Sequence, residues 1–163
     1  MHISETFQDE FCLYILLEYL PGGDLLEMIK SQRFISEGYE LKFYFAEVLL
    51  AIEYLHNQNI VYRDLKPENL LLDASGHVRL IDFGFSKQLA KSSQRCTTNC
   101  GTPGYVAPEV MMHTEVGYDA KKADIWSLGV LLCEMVGGFT PFVKKSSLDG
   151  DQYIRRSNQM SPL

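Results

Sequence analysis

Four side chains in the middle of the chain have the types and spacing that phosphoryl transfer requires. Asp64, Lys66 and Asn69 lie in one short segment, and Asp82 opens an Asp-Phe-Gly sequence a little further on. Asp64 can accept the proton of a hydroxyl, and Lys66 can neutralise charge that develops on a transferred phosphoryl group. Asn69 and Asp82 offer the hard oxygen ligands that magnesium prefers. This combination indicates transfer of a phosphoryl group from a nucleotide to a hydroxyl.

The order of these residues resembles the eukaryotic protein kinase family. Residues 61–72 are similar to its catalytic loop, and residues 82–84 are similar to its metal-binding loop. Residues 107–109, Ala-Pro-Glu, are similar to the end of its activation segment, and Lys-Pro-Glu at 66–68 resembles the serine/threonine branch. The resemblance implies transfer of the ATP γ-phosphoryl group to Ser or Thr, with Mg²⁺. The implied roles are catalysis by Asp64 and Lys66 and metal binding by Asn69 and Asp82.

The segment between these motifs also resembles protein kinases. Residues 98–103, Thr-Asn-Cys-Gly-Thr-Pro, are similar to a loop of the cyclic-nucleotide-dependent (AGC) and calcium/calmodulin-dependent groups. The resemblance implies that an upstream kinase phosphorylates Thr98 and that Thr102 borders the substrate pocket. Arg63 supports the first role, because a guanidinium can bind a phosphate through two hydrogen bonds. The alternative is an unmodified, solvated threonine, and Thr97 is a second candidate beside it.

The same resemblance implies which residues contact the nucleotide and the peptide. The segment after the first apolar run is similar to the hinge that binds adenine, and a leucine after the catalytic loop is similar to the pocket floor. Three acids match positions that bind ribose or substrate arginines, which predicts basic protein substrates. The residues are Leu17, Glu18, Leu20 and Leu71 for adenine, Asp24 and Glu68 on the nucleotide side of the cleft, and Glu134 in the substrate pocket. Taken singly, each is more simply a core, strand or surface residue.

Three further residues are implied to hold the site together. Arg63 precedes the catalytic aspartate. Asp124 resembles a buried carboxylate that hydrogen-bonds the catalytic-loop backbone, although an acid near a helix start also favours the helix dipole. Glu109 matches a glutamate that pairs with an arginine, for which Arg155 and Arg156 are candidates.

Composition is that of an ordinary globular protein. The 163 residues carry a formal net charge of −6, with 46% hydrophobic and 22% charged residues. This negative charge argues against a nucleic-acid partner and suits a basic peptide. No apolar run reaches the ~20 residues of a membrane span, the N-terminus does not resemble a secretory signal, and the four cysteines lack disulfide or metal-site spacing. We expect a cytoplasmic or nuclear protein with free thiols and no membrane partner.

Apolar periodicity and the resemblance together predict an α+β fold, mainly helical, with small β-hairpins. Asp24 is expected to cap a helix that starts at Leu25, and Ser36 a longer helix that stops near Asn57. The longer helix carries an apolar stripe of Leu41, Phe45, Val48, Ile52 and Leu55. Other expected elements are a buried strand within 11–20, short strands at 60–61, 70–72 and 78–81, a long loop at 85–106, and a helix buried on every side at 123–136.

The chain departs from the family pattern at both ends. The residues before the hinge contain no glycine. A Gly-rich phosphate loop, the small-lobe lysine and its partner glutamate are therefore expected to be missing. After residue 142 the resemblance stops. We predict a partial kinase domain over 1–142, with hinge and most of the large lobe but without the small lobe or last helices, and a divergent, poorly ordered tail over 143–163.

Two functions from different classes stay open at this point. The first is a serine/threonine kinase of which this chain is a part. The second is a truncated, catalytically inactive binding or regulatory module. An unrelated metal-binding or structural helical protein conflicts with the number of motifs. The kinase group is also open, because Tyr62 and residues 82–85 favour the AGC group whereas residues 104–106 favour the calcium/calmodulin-dependent group.

Overall fold

Short strand pairs and four helices make up the part of the chain that the computed structural model describes, residues 3–32, 38–112 and 115–142. The elements in order are β1 (Ile3–Gln8), β2 (Leu13–Leu17), α1 (Leu25–Gln32), α2 (Tyr39–Asn57), β3 (Ile60–Val61), a 3₁₀ turn (Pro67–Asn69), β4 (Leu70–Leu72), β5 (Val78–Leu80), β6 (Lys87–Gln88), α3 (Pro108–Met111) and α4 (Ala120–Gly137). The strands pair antiparallel as β1 with β2, β3 with β6, and β4 with β5. The predicted α+β class is confirmed.

The two long helices form the centre of the fold. The stripe predicted on α2 is buried at Val48, Ile52 and Leu55 and lies in one apolar cluster with Leu131 and Met135 of α4. Full burial of one such side chain stabilises the fold by about 1.5–3 kcal/mol. The helix ends at Asn57 as predicted. Its predicted cap, Ser36, lies outside the described residues, as does the predicted tail over 143–163.

The first strand was predicted in the wrong surroundings. Residues 11–20 contain β2, but β2 pairs with an unpredicted strand, β1, and every residue of both strands is exposed. Ile15, for example, is 62% exposed. An apolar run predicts a strand that favours burial. It does not show whether other elements cover the two faces of that strand.

Two other expectations are corrected. The predicted loop 85–106 contains β6, and Cys96 forms an isolated antiparallel bridge with Tyr118. The predicted all-buried helix begins earlier, at Ala120, and leaves Ile125, Gly129 and Cys133 exposed along one side. That side faces no other described element closely enough to be covered. In the described ranges, no helix has the length and apolarity that would let it cross a bilayer.

Candidate active site

The catalytic loop begins where α2 gives way to β3. Arg63, two residues after the end of β3, has φ +70°, a left-handed conformation that costs a non-glycine residue of order 1–3 kcal/mol. Asp124 on α4 compensates, because its carboxylate accepts hydrogen bonds from the backbone nitrogens of Tyr62 (2.9 Å) and Arg63 (2.7 Å). His56 Nε2 lies 2.7 Å from the same carboxylate, which is 1% exposed. Asp124 thus lies where the sequence predicted, against the backbone of the loop.

Asp64, Lys66, Asn69 and Thr102 form one hydrogen-bonded network. Lys66 Nζ lies 2.9 Å from Asp64 Oδ2 and 2.8 Å from Thr102 Oγ1. Thr102 Oγ1 donates to Asp64 Oδ1 over 2.6 Å, and Asn69 Nδ2 donates to Asp64 Oδ2 over 3.2 Å and to its backbone oxygen over 2.9 Å. Asp64 is 4% exposed, so these donors fix both of its carboxylate oxygens. Residues far apart in sequence therefore converge on one carboxylate.

The β4–β5 hairpin carries Asp82 to the same place. Ile81 N donates to Asn69 O over 3.0 Å, so Asp82 follows directly after a residue bonded to Asn69. Tyr62 donates its hydroxyl hydrogen bond to Ile81 O, and its ring meets Phe83 edge-on with ring centroids 5.5 Å apart. Burial, followed by the Asp64 charge, raises the pKa of Tyr62, so the tyrosine remains a neutral donor. Tyr62 and Phe83 thus pack between the two loops.

The donor set fits a magnesium ion. Asn69 uses its amide nitrogen on Asp64, so its amide oxygen is the atom left to face a cation. Asp82 is exposed, has φ +54°, and accepts from Gly84 N through Oδ1 at 3.0 Å. A carboxylate and a carboxamide oxygen suit Mg²⁺, which keeps several waters and takes few protein ligands. No cluster of three or more His, Cys, Asp and Glu suited to a metal occurs among the residues described.

The segment after β2 is joined to β4 through its backbone. Gly22 N donates to Leu72 O over 3.0 Å, and Leu72 N donates to Gly23 O over 2.9 Å. Leu71 is half-buried and forms a bridge with Asp24. Asp24 Oδ1 accepts from Glu27 N at 2.7 Å, which is the helix cap that the sequence predicted. These bonds hold the segment that follows the predicted hinge against β4, which contains the predicted floor residue Leu71.

The predicted nucleotide residues differ in their exposure. Leu17 ends β2 and is 39% exposed, Glu18 is exposed, and Leu20 is half-buried. Glu68 is exposed on the 3₁₀ turn of the catalytic loop. All four lie outside the buried network around Asp64, and their roles toward nucleotide remain predictions.

Glu134 has a partner that the sequence did not predict. Tyr105 donates its hydroxyl hydrogen bond to Glu134 Oε2, and Ser127 Oγ holds the Tyr105 backbone oxygen at 2.8 Å. Burial raises the pKa of Glu134; the Tyr105 hydrogen bond and the Lys30 charge oppose that shift, whereas the Glu68 charge adds to it. The role of Glu134 toward substrate remains a prediction.

Thr98 lies in an exposed part of the activation segment that is fastened at both sides. Cys96 and Tyr118 exchange backbone hydrogen bonds of 2.9 and 2.8 Å, and Tyr118 donates its hydroxyl hydrogen bond to Thr98 O over 2.9 Å. Burial, with a smaller contribution from Cys100, raises the pKa of Tyr118 to about 12, so the hydroxyl keeps its proton. Tyr118 gave no sequence signal beyond an aromatic residue near a helix start.

Arg63 has unused hydrogen-bonding capacity near this segment. Its Nε donates to Phe85 O over 2.6 Å, whereas its buried Nη1 has no acceptor among the described residues. Glu109, the other predicted structural residue, is half-buried on α3. Its candidate partners, Arg155 and Arg156, lie outside the described residues, so that pairing stays a prediction.

The sequence matches the protein kinase domain family over residues 1–162. The chain belongs to that family, whose members in general use ATP with magnesium. Among its relatives is the human "cAMP-dependent protein kinase catalytic subunit PRKX", 50% identical over 137 residues, which are 84% of this chain and 36% of the relative. The "cAMP-dependent protein kinase catalytic subunit" of Arthrobotrys oligospora is 51% identical over 138 residues, 84% of this chain and 25% of the relative.

A relative with a different name matches more of the chain. The "Putative ribosomal protein S6 kinase alpha-1" of Caenorhabditis elegans is 44% identical over 157 residues, 96% of this chain and 20% of the relative. The chain thus spans between about a fifth and about a third of the length of these three relatives. Their names confirm the predicted resemblance and, of the two groups left open, favour the cyclic-nucleotide-dependent (AGC) group.

Proposed function

We propose that the chain is the catalytic-loop part of a serine/threonine protein kinase that transfers the ATP γ-phosphoryl group to basic protein substrates. The observation that carries the proposal is the network in which Lys66, Asn69 and Thr102 all donate to Asp64. Asp64 is 4% exposed and one of its donors, Thr102, is distant in sequence, whereas the exposed Asp9 takes its hydrogen bonds from near neighbours only. Burial with converging donors suits a carboxylate that must be oriented toward a substrate hydroxyl.

The network indicates which oxygen of Asp64 receives the substrate. Oδ2 accepts from both Lys66 and Asn69, so the donors fill its two acceptor positions. Oδ1 accepts only from Thr102 among the described residues, which leaves a second acceptor position. The substrate hydroxyl donates to Oδ1 beside Thr102, and its proton passes to that oxygen. Lys66, which touches both Asp64 and Thr102, stabilises negative charge on the phosphoryl oxygens.

Asn69 and Asp82 are the residues that would hold magnesium in this proposal. When bound, the ion neutralises charge on the nucleotide phosphates. The Ile81–Asn69 backbone bond supports the assignment, because it keeps the two ligands adjacent without using either side-chain oxygen. Adenine would meet the backbone of Glu18 and Leu20 above Leu71, with Leu17 and Asp24 beside them.

The substrate preference rests on Glu68 and Glu134. The negative charge of Glu68 adds to the rise in the Glu134 pKa and the positive charge of Lys30 opposes it, which supports a site that favours a further cation. An arginine of the substrate would supply the missing charge and form two hydrogen bonds with a carboxylate. Thr98 would be phosphorylated by an upstream kinase, because it is exposed and Arg63 Nη1 lacks an acceptor among the described residues. Such a protein would act in the cytoplasm or nucleus.

A chimera tests whether these residues can catalyse. The matching 137-residue segment of the human relative is replaced by that of this chain, and ³²P transfer from magnesium-ATP to an arginine-containing peptide is measured. We expect turnover that falls by about 10²–10⁴ with Asp64→Asn. Asp73→Asn is the matched control, because Asp73 lies in the nearby exposed β4–β5 turn. A folded chimera that binds ATP without turnover, or one indifferent to Asp64→Asn, would contradict the proposal.

The same assay applied to the 163 residues alone separates the enzyme from the binding module. We expect little or no transfer, because adenine then lacks a cover above Leu71. If roughly 100 Å² of apolar surface at the adenine site stays exposed to water, the free energy of ATP binding is less favourable by about 2.5 kcal/mol, or roughly fiftyfold in affinity. Vigorous turnover by the isolated chain would show that it needs no further part.

A further inference from the structure

Lys121 joins three parts of the chain outside the phosphoryl-transfer site. Its Nζ lies 2.7 Å from His56 O at the end of α2, 3.2 Å from Asn59 Oδ1, and 3.0 Å from Ser92 Oγ. Lys121 itself is in the first turn of α4. One ammonium group therefore connects the end of α2, the start of α4 and the segment 85–106, and we call this contact the junction. Ser92 is the outermost partner of Lys121 in it.

Ser92 lies in an exposed turn that an enzyme can reach. Gln94 N donates to Lys91 O over 2.9 Å and closes the turn, and the Gln94 side chain accepts from Ala90 N at 2.7 Å. Ser92 is exposed between these bonds. The stretch from 87 to 98 contains lysines and an arginine but no acid. A basic, exposed turn suits a modifying enzyme whose peptide groove is acidic.

We propose that Ser92 is a phosphorylation site and that Lys121 binds the phosphate. The step transfers the γ-phosphoryl group of ATP, catalysed by a serine/threonine kinase selective for basic sequences. A bond forms between Ser92 Oγ and Pγ, and the bond from Pγ to the bridging oxygen breaks. ADP leaves with that electron pair, and the hydroxyl proton passes to the base of the modifying kinase. The proposal does not depend on catalysis by this chain.

Charge explains why the phosphate would strengthen the junction. A phosphoserine carries about −1.5 to −2 charges near neutral pH, and Lys121 already contacts the atom that would bear it. The C-terminal end of α2 is the negative end of a helix dipole and opposes an anion there. The Lys121 ammonium lies between the two, bonded to His56 O and to Ser92, so it screens that repulsion.

The junction connects to the catalytic loop through α4. Asp124 lies one turn after Lys121 on the same helix and holds the backbone nitrogens of Tyr62 and Arg63. A phosphate on Ser92 would fix the position of Lys121 and thereby the helix start that carries Asp124. The modification is therefore regulatory in kind: it stabilises the frame of the loop without touching substrate.

The test compares three forms of the 163-residue chain: unmodified, with genetically encoded phosphoserine at 92, and with phosphoserine at 93 as the matched control. We expect phosphoserine 92 to raise Tm by about 2–4 °C at low salt and phosphoserine 93 to leave it nearly unchanged. The rise should shrink as salt is added and disappear in Lys121→Met. Equal Tm for the two phosphorylated forms, or a rise that survives Lys121→Met, would overturn the role of Lys121.

A second measurement tests the acceptor itself. The chain is incubated with [γ-³²P]ATP and a serine/threonine kinase selective for basic sequences, and Asp64→Asn in the chain removes any transfer of its own. Incorporation should fall several-fold in Ser92→Ala and persist in Ser93→Ala. If Ser92→Ala accepts as much label as the parent chain, Ser92 is not the site.

Discussion

Asp124 and Asp9 each accept three hydrogen bonds, yet one lies in the core and the other in solvent. Asp124 takes its bonds from His56, Tyr62 and Arg63, distant in sequence, and is 1% exposed. Asp9, in the β1–β2 turn, takes its bonds from its near neighbours Phe11, Cys12 and Tyr14 and is exposed. The first carboxylate joins separate elements, and the second closes only a local turn. Similar hydrogen bonding therefore has different consequences in the two regions.

The apolar residues follow the same division. The cluster around α2 and α4 is buried, whereas Phe7, Leu13 and Ile15 of the hairpin are 52%, 80% and 62% exposed. An isolated two-stranded hairpin is marginally stable in water. We infer that the catalytic-loop region unfolds cooperatively and that the hairpin opens on its own at lower cost.

The largest contrast should come from two isoleucines. Ile52→Ala in α2 should lower the free energy of unfolding by about 2–5 kcal/mol, because it leaves a cavity in the buried cluster. Ile15→Ala in β2 should change it by less than about 0.5 kcal/mol, because Ile15 is exposed. Urea unfolding followed by circular dichroism measures both. Similar losses for the two variants would mean that the hairpin unfolds with the core.

A second contrast lies between two aspartates on α4. Asp124→Asn should lower the free energy of unfolding by about 1.5–3 kcal/mol. The reason is that an amide N–H would then face the buried backbone N–H groups of Tyr62 and Arg63, which need an acceptor. Asp119→Asn should be nearly neutral, because asparagine caps a helix about as well as aspartate. Urea unfolding again gives the difference. An equal effect at both positions would show that Asp124 acts on the helix dipole alone, as its second interpretation holds.

Gly22 joins the two regions and should tolerate no side chain. A Cβ there would lie 2.5 Å from Leu72 Cβ and 2.7 Å from Leu72 O, so Gly22→Ala should cost about 1–3 kcal/mol. The matched change Gly129→Ala meets nothing within 4 Å and lies inside α4, so it should stabilise by up to about 1 kcal/mol. Thermal unfolding of both variants measures the signs. A harmless Gly22→Ala would mean that residues 22–24 are not held tightly against β4.

The sequence predicted the catalytic-loop region better than the hairpin for a physical reason. Helix periodicity on α2, the cap at Asp24 and the strands at 70–72 and 78–80 depend on local pattern, and they lie close to the predicted positions. Whether β2 is buried depends on which other elements pack against it, and a local sequence pattern does not show that. Its apolar run predicted a strand correctly and its surroundings wrongly.

The candidate site divides in the same way. The convergence of Asp64, Lys66, Asn69 and Thr102 could be proposed from motif spacing, because those motifs resemble a known loop. The roles of Tyr105 and Tyr118 could not be predicted in this way, because each tyrosine donates a hydrogen bond from its hydroxyl to a partner that is distant in sequence. A tyrosine near an apolar segment most often packs by its ring, and only coordinates show which oxygen its hydroxyl reaches.

The pH dependence should have opposite signs in the two regions. Burial raises the pKa of Glu134 above 4.5, so between 4.5 and the raised value the folded chain binds more protons than the unfolded chain. The contribution of Glu134 to the free energy of unfolding is therefore fully present below pH 4.5, and it is lost as pH rises through the pKa of the folded chain. Glu134→Gln should remove this decline, as judged by urea midpoints across pH, whereas Glu53→Gln on the exposed side of α2 should keep it. A decline that persists in Glu134→Gln would assign it to another group.

The smallest effect concerns Asp9. Hydrogen bonds from Phe11 N, Tyr14 and Cys12 N lower its pKa below 3.8, so its contribution is present above 3.8 and is lost as pH falls through the folded value. Because the hairpin is exposed, this loss should appear as local opening: the amide shifts of Phe11 and Cys12 should move toward random-coil values while the midpoint of global unfolding is unaffected. Asp9→Asn should show the open shifts already at neutral pH, and Glu10→Gln, which removes the same charge in the same turn, should not. If acid instead moved the hairpin and core resonances together, the two regions would form one cooperative unit.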